Sequence, residues 1–132
     1  MILFVDDEGR YVDVYVAELK DSGYTVELKT DVDSALQFFR EHHKDISLLI
    51  LDSMMPAGQE FQEVDTEYGL RTGVLFYEKI KEINSTLPVI ILTNLNKEDL
   101  DEKFFEEEKC LILQKADIFP LDLVEEVKNM LT

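Results

Sequence analysis

Residues 48–53 read Leu-Leu-Ile-Leu-Asp-Ser: four large aliphatic side chains in a row, then a carboxylate. A run this short and this apolar, bounded by polar residues, is the mark of a strand buried on both faces. The same mark recurs outward in both directions, at Met1–Val5 (MILFV), Val89–Leu92 (VIIL) and Leu111–Leu113 (LIL). A fifth segment, Tyr24–Thr30 (YTVELKT), alternates instead, with Tyr24, Val26 and Leu28 facing one way and Thr25, Glu27 and Lys29 the other. Alternation describes a half-exposed strand at a sheet edge.

Helical patterns fill the gaps. Val12, Tyr15, Val16 and Leu19 recur at helical spacing and stop at Ser22-Gly23, a C-terminal signal. Thr30 or Asp31 can cap a second helix carrying Ala35, Phe38 and Phe39. A third, from about Leu70 to Ile83, sets Phe76, Ile80 and Ile83 on one side and ends before Pro88. A shorter fourth is expected over Lys97–Glu108. The fifth starts near Pro120, with Leu123, Val124, Val127 and Leu131 on one stripe. Strand–helix alternation of this kind makes an α/β fold, a parallel sheet with helices on both faces, because right-handed crossovers lay each helix against the sheet. With the edge-like strand second, the expected order is 2-1-3-4-5, a doubly wound five-stranded sheet. The chain reads as one domain over residues 1–132.

In such a sheet the chemistry sits at the carboxyl ends of the strands, near the switch point between the first and third. After the first strand come Asp6, Asp7 and Glu8; after the third, Asp52; after the fourth, Thr93 and Asn94; after the fifth, Lys115. Parallel neighbours bring Asp6, Asp7 and Asp52 together, with Thr93 and Lys115 beside them. Carboxylates so close repel, and their proton affinities rise unless a cation intervenes. Magnesium answers that need, since it takes oxygen ligands, keeps several waters and uses few carboxylates. A carboxylate held against Mg²⁺ and a lysine can attack a phosphoryl donor.

Composition narrows the classes. The chain carries 29 Asp plus Glu against 13 Lys plus Arg, a formal charge of −16. Phosphate backbones and anionic membranes would be repelled, which argues against direct nucleic-acid or membrane binding. No apolar run approaches the ~20 residues of a membrane helix, and no signal peptide is visible. One cysteine, Cys110, fits a reducing cytoplasm.

FVDDE (4–8), LLILDSMMP (48–56), PVIILTN (88–94) and the isolated Lys115 together resemble the receiver domain of bacterial two-component response regulators, the CheY-like superfamily with its flavodoxin-like fold. The resemblance runs through residues 1–131. It implies Asp52 as phosphoacceptor, Asp7 as direct metal ligand, Asp6 as holder of metal-bound water and the Met54 backbone carbonyl as a further ligand to Mg²⁺. It also implies that Thr93 hydrogen-bonds the phosphoryl group and moves on activation, and that Lys115 ion-pairs with it. The partners implied are a histidine kinase or phosphotransfer protein and a downstream protein target. The family's usual output face, formed by its fourth helix, fifth strand and fifth helix, corresponds to Phe104, Phe105 and Ile112.

Four positions depart from the family. Ala116 follows Lys115 where a cis proline is usual; a non-proline cis bond costs ~2.5–4 kcal/mol, so a trans bond and a shifted loop are expected. Ile112 stands where an aromatic rotamer switch would be. Asn94 replaces a small residue beside Thr93. An insertion of roughly ten residues extends the loop at 57–69 (AGQEFQEVDTEYG), with Gly69 and Gly73 as alternatives for the family's glycine. The insertion reads as a lid or partner-recognition element, with Tyr68 and Arg71 as contacts.

Each residue also has a plainer reading. Phe104-Phe105 can be core plus one half-exposed ring, Met54-Met55 can pack under the loop, and His42-His43 suits a solvated helix C-terminus. The function expected is a stand-alone phosphoacceptor that signals by protein binding, with no enzymatic role beyond its own phosphorylation and slow dephosphorylation. The alternative is a receiver-shaped scaffold whose binding is independent of phosphorylation. An aspartate-nucleophile phosphatase of the haloacid dehalogenase type fits poorly, because Met54 stands where its second Asp should be.

Overall fold

The expected sheet is present. A computed structural model describes residues 1–107 and 109–132. Its strands are β1 (Ile2–Val5), β2 (Val26–Lys29), β3 (Leu48–Leu51), β4 (Val89–Thr93) and β5 (Cys110–Gln114), all parallel in the order β2-β1-β3-β4-β5. Its α-helices are α1 (Gly9–Asp21), α2 (Val32–His42), α3 (Thr72–Ile83) and α4 (Pro120–Leu131). The fold is the flavodoxin-like, doubly wound sheet.

The pleat sorts strand side chains into two cores. Leu3, Val5, Leu49, Leu51, Val89 and Ile91 face Phe39 of α2 and Phe76 and Ile80 of α3. Ile2, Phe4, Leu48, Ile50, Ile90 and Leu92 face Val12, Tyr15 and Leu19 of α1 and Leu123 and Val127 of α4. This is why the central strands read as unbroken apolar runs: both faces are covered. Caps follow the sequence signals, with the Asp31 carboxylate accepting the Ser34 N–H at 2.7 Å and Gly23 taking φ +99° after α1.

Three expectations need correction. The helix expected over Lys97–Glu108 does not form over its described residues; two 3₁₀ turns, Lys97–Asp99 and Glu102–Phe105, take its place, and Glu108 lies outside the described residues. The cause is local. Leu100 and Asp101 are extended, the Asp101 side chain caps the second turn by accepting Lys103 N–H at 3.0 Å, and acidic residues crowd the segment. The fifth strand is accordingly half-buried along its length rather than buried on both faces, because it is an edge with no α-helix among the described residues of the crossover. Ile83 and Leu131, placed on apolar helix stripes, are 37% and 36% exposed at the ends of their helices.

The 57–69 insertion is anchored. Phe61 is buried in the α2–α3 core, and the Asp33 carboxylate at the start of α2 accepts the N–H groups of Gln59 (2.8 Å) and Glu60 (2.9 Å). Both candidate glycines are required. Gly69 takes φ +92°, and a Cβ there would meet the Met55 carbonyl oxygen at 2.7 Å; a Cβ on Gly73 would lie 2.5 Å from Ser53 Cα and O. The peptide bonds are all trans among the described residues, that between Lys115 and Ala116 included. Among the described residues, no helix is long and apolar enough to cross a membrane.

Candidate functional site

Strand register builds the site. Val5 pairs with Leu51 and Leu51 with Ile91, so the residues just beyond the strands (Asp6, then Asp52 and Ser53, beside Thr93) converge at one end of the sheet. Asp6 and Thr93 are fully buried, Asp52 and Lys115 nearly so, while Asp7 is exposed. Carboxylate oxygens of Asp6, Asp7 and Asp52 all lie within 4.8 Å of one another. Lys115 reaches in from the far edge. Its Nζ stands 2.8 Å from Asp6 Oδ2, 3.4 Å from Asp52 Oδ2 and 3.8 Å from Glu8 Oε2, and 5.2 Å from the ring centre of Tyr11. Tyr15 secures the turn that follows, its hydroxyl donating to the Ile118 carbonyl at 3.1 Å.

Electrostatics follow from burial. Desolvation pushes the Asp52 carboxyl up to about 6, against the pull of Lys115 and with help from Asp6. Burial and the neighbouring Asp6 also raise Asp7. For Lys115, burial favours the neutral amine, but its close pairing with Asp6 and its attraction to Asp52 outweigh that, and its proton affinity rises. The cluster is thus a buried cation short of its surrounding negative charge.

The donor set fits a hard divalent cation. All the converging atoms are oxygens. Asp6 Oδ1 is held by the Glu8 N–H at 2.9 Å, whereas Asp6 Oδ2 is buried with no directed hydrogen bond, although Lys115 is close. An oxygen in that state suits a metal-bound water. Asp7, Glu8, Asp52, Met54, Thr93, Asn94 and Leu95 line a depression of ≈ 160 Å³ at this point.

The structure therefore brings together Asp6, Asp7, Asp52, Thr93 and Lys115, with Met54 at the rim, its N–H 3.3 Å from Asp52 Oδ1. Of the two methionines only Met55 packs inside; Met54 is 44% exposed. Phe104 is withdrawn from any partner face, being 1% exposed and edge-on to Tyr77 at 5.3 Å, whereas Phe105 is half-exposed. None of residues 57–69 lines the depression, so the insertion does not cover it. Tyr68 projects fully into solvent, with φ +59°, and Arg71 borders a separate cleft with Asp99, Leu100 and Asp101. Sequence reasoning missed Ser53, whose buried hydroxyl lies 2.7 Å from that of Thr93, and gave no role to Glu8 or Tyr11. Counting the β3–β4 register two residues beyond Leu51 and Ile91 would have paired Ser53 with Thr93.

This constellation, an acidic triad with a lysine and a hydroxyl at the carboxyl end of a 2-1-3-4-5 sheet, defines the receiver class. The chain matches the family described as the response regulator receiver domain over residues 2–127 and belongs to it. It is similar to the receiver domain of the hybrid histidine kinase CckA, with 28% identity, a TM-score of 0.73, and 99% of this chain and 98% of that one covered. Its fold is also shared by a response regulator receiver domain protein from Clostridium thermocellum (24% identity, TM-score 0.76, 98% and 92% covered). The receiver domain of NtrX from Brucella abortus shares it too (22%, 0.76, 99% and 98%). No curated protein sequence matches the chain.

Proposed function

We propose that this receiver takes a phosphoryl group on Asp52, with Mg²⁺ bound, and passes the signal on through protein–protein contacts in the cytoplasm. The observation that carries the reading is the buried pairing of Lys115 with both Asp6 and Asp52 inside a three-carboxylate cluster. A charged cluster so placed has no structural necessity, since apolar residues in place of all its members would fill the same space without burying charge.

Asp7 and Asp52 would hold the ion directly, with the Met54 carbonyl, and Asp6 would hold its water. Bound magnesium supplies positive charge that offsets the phosphoryl oxygens during transfer. The chain's own groups do the rest. An Asp52 oxygen attacks phosphorus, the bond from phosphorus to the donor breaks, and the donor leaves with that bond's electrons. Lys115 Nζ, already 3.4 Å from Asp52, stays paired with the charge that arrives. The Thr93 hydroxyl donates to a phosphoryl oxygen.

The donor is a histidine kinase or phosphotransfer protein. The output surface is read from what is exposed: Phe105 and the half-buried β5 with Ile112 on one side, Tyr68 on the insertion on the other. Deleting residues 58–67 is expected to change partner binding rather than access to Asp52. The protein has no independent enzymatic role beyond slow loss of its own phosphoryl group.

Incubation with Mg²⁺ and a small acyl phosphate, followed by intact mass, tests the reading. One added phosphate is expected, and none on Asp52→Asn. A folded, unlabelled wild-type protein would leave the second reading, a scaffold whose binding ignores phosphorylation; the 3₁₀ turns that replace a helix over the described residues between β4 and β5, and Ile112 in place of an aromatic, favour it.

A further inference from the structure

Ser53 lies outside every role assigned above, yet it is 1% exposed and its side chain points at Thr93. The two hydroxyl oxygens are 2.7 Å apart, and both residues are buried. Thr93 Oγ1 also accepts the Leu95 N–H at 3.1 Å. Asp52, by contrast, is served by Lys115 on Oδ2 and by the Met54 N–H on Oδ1. The hydroxyl expected to meet an incoming phosphoryl group is thus held in place by Ser53 and the Leu95 N–H.

Ser53 has little freedom to follow Thr93. Its carbonyl accepts the Gly73 N–H at 3.1 Å, and its backbone lies so close to Gly73 that not even a Cβ would fit between them. The serine is clamped to the first turn of α3, and only its side chain can turn. Thr93, being β-branched, has few rotamers to choose from. A fixed partner on one side and a stiff side chain on the other make a hydrogen bond with little room to adjust.

We propose that Ser53 is a positioning residue: its hydroxyl holds Thr93 in the unphosphorylated arrangement, and that hydrogen bond sets how readily the receiver accepts and keeps a phosphoryl group on Asp52. The proposal rests on the phosphoacceptor reading. It also supplies what Ile112 lacks, a mechanical partner for Thr93, located on the α3 side of the site instead of on β5.

The test measures phosphorylated fraction at a fixed acyl phosphate concentration with Mg²⁺, and the decay rate after donor removal, by intact mass. Ser53→Ala should raise the fraction and slow the decay by about three- to tenfold together, the ratio one neutral hydrogen bond commands. Ser53→Cys, which keeps volume but offers only a weak sulfur donor, should act in the same direction, and covers the case in which the alanine variant fails to fold. Thr93→Ala should lower the fraction, and adding Ser53→Ala to it should change nothing further. That silence in the double variant separates positioning from a merely structural role. Unchanged or reduced labelling of folded Ser53 variants, or the same response with and without the Thr93 hydroxyl, overturns the proposal alone. No label on the wild-type protein overturns the phosphoacceptor reading and this proposal with it.

Discussion

Two buried regions lie against each other in this molecule and obey opposite rules. Beneath the site, Phe4, Phe39 and Phe76 are sealed in apolar cores where burial itself stabilises. Just above, Asp6, Asp52, Thr93 and Lys115 are as deeply buried, yet burial there raises the cost of every charge. The apolar region holds the fold; the polar region is held by it. Removing a side chain should therefore weaken one region and, at chosen positions, strengthen the other.

The largest effect belongs to the core. Phe39→Ala should cost about 3–5 kcal/mol, read from the midpoint of urea unfolding, because the fully buried ring leaves a cavity. Lys115→Met should approach that loss at neutral pH, about 3 kcal/mol, since it strands Asp6 and Asp52 without their cation. The two variants part company with pH: acid neutralises the stranded carboxylates and restores much of the Lys115→Met loss, but leaves the Phe39→Ala loss unchanged. A Lys115→Met deficit that ignored pH would erase the distinction.

Asp52→Asn should move the other way and stabilise the metal-free protein at neutral pH by about 1–2 kcal/mol. The sign follows from the raised carboxyl. Asp52 titrates at about 6 in the fold against an ordinary 3.8, so between those values the folded state holds the proton more tightly. Stability of the wild-type protein therefore falls as pH rises through that window, and the contribution is absent from Asp52→Asn. Urea melts at pH 4 and 7.5 on both proteins decide it.

The smallest effect is reversal by the cation. Magnesium at about ten times its dissociation constant should stabilise the wild-type protein by about 1.4 kcal/mol at pH 7.5, more than it stabilises Asp52→Asn. Its affinity should fall about tenfold for each unit of pH below the Asp52 value of about 6, because the proton must leave first. Thermal melts with and without the ion show both.

The site was more legible in the sequence than part of the fold was. Asp6, Asp52 and Thr93 directly follow an apolar run, Asp7 and Lys115 follow theirs one residue further on, and parallel strands of similar length place such residues at one edge whatever joins them. The segment from Lys97 misled because Leu100 and Phe104 share a helical face, while Asp101 turns the backbone into a cap instead. The insertion read as a lid or partner-recognition element because nothing local reveals that Phe61 enters the core or that Asp33, across a gap in sequence, accepts two of its N–H groups.

The amino-acid sequence determined the strands, their order and the residues at their ends, because hydrophobic periodicity and strand-end placement are short-range properties of the chain. Tertiary structure alone decided that Ser53 bonds Thr93, that Lys115 spans Asp6 and Asp52, and that Phe61 and Phe104 turn inward while Tyr68 stays out. Those depend on register, side-chain rotamer and competition for burial between segments distant in the chain, which no local pattern encodes.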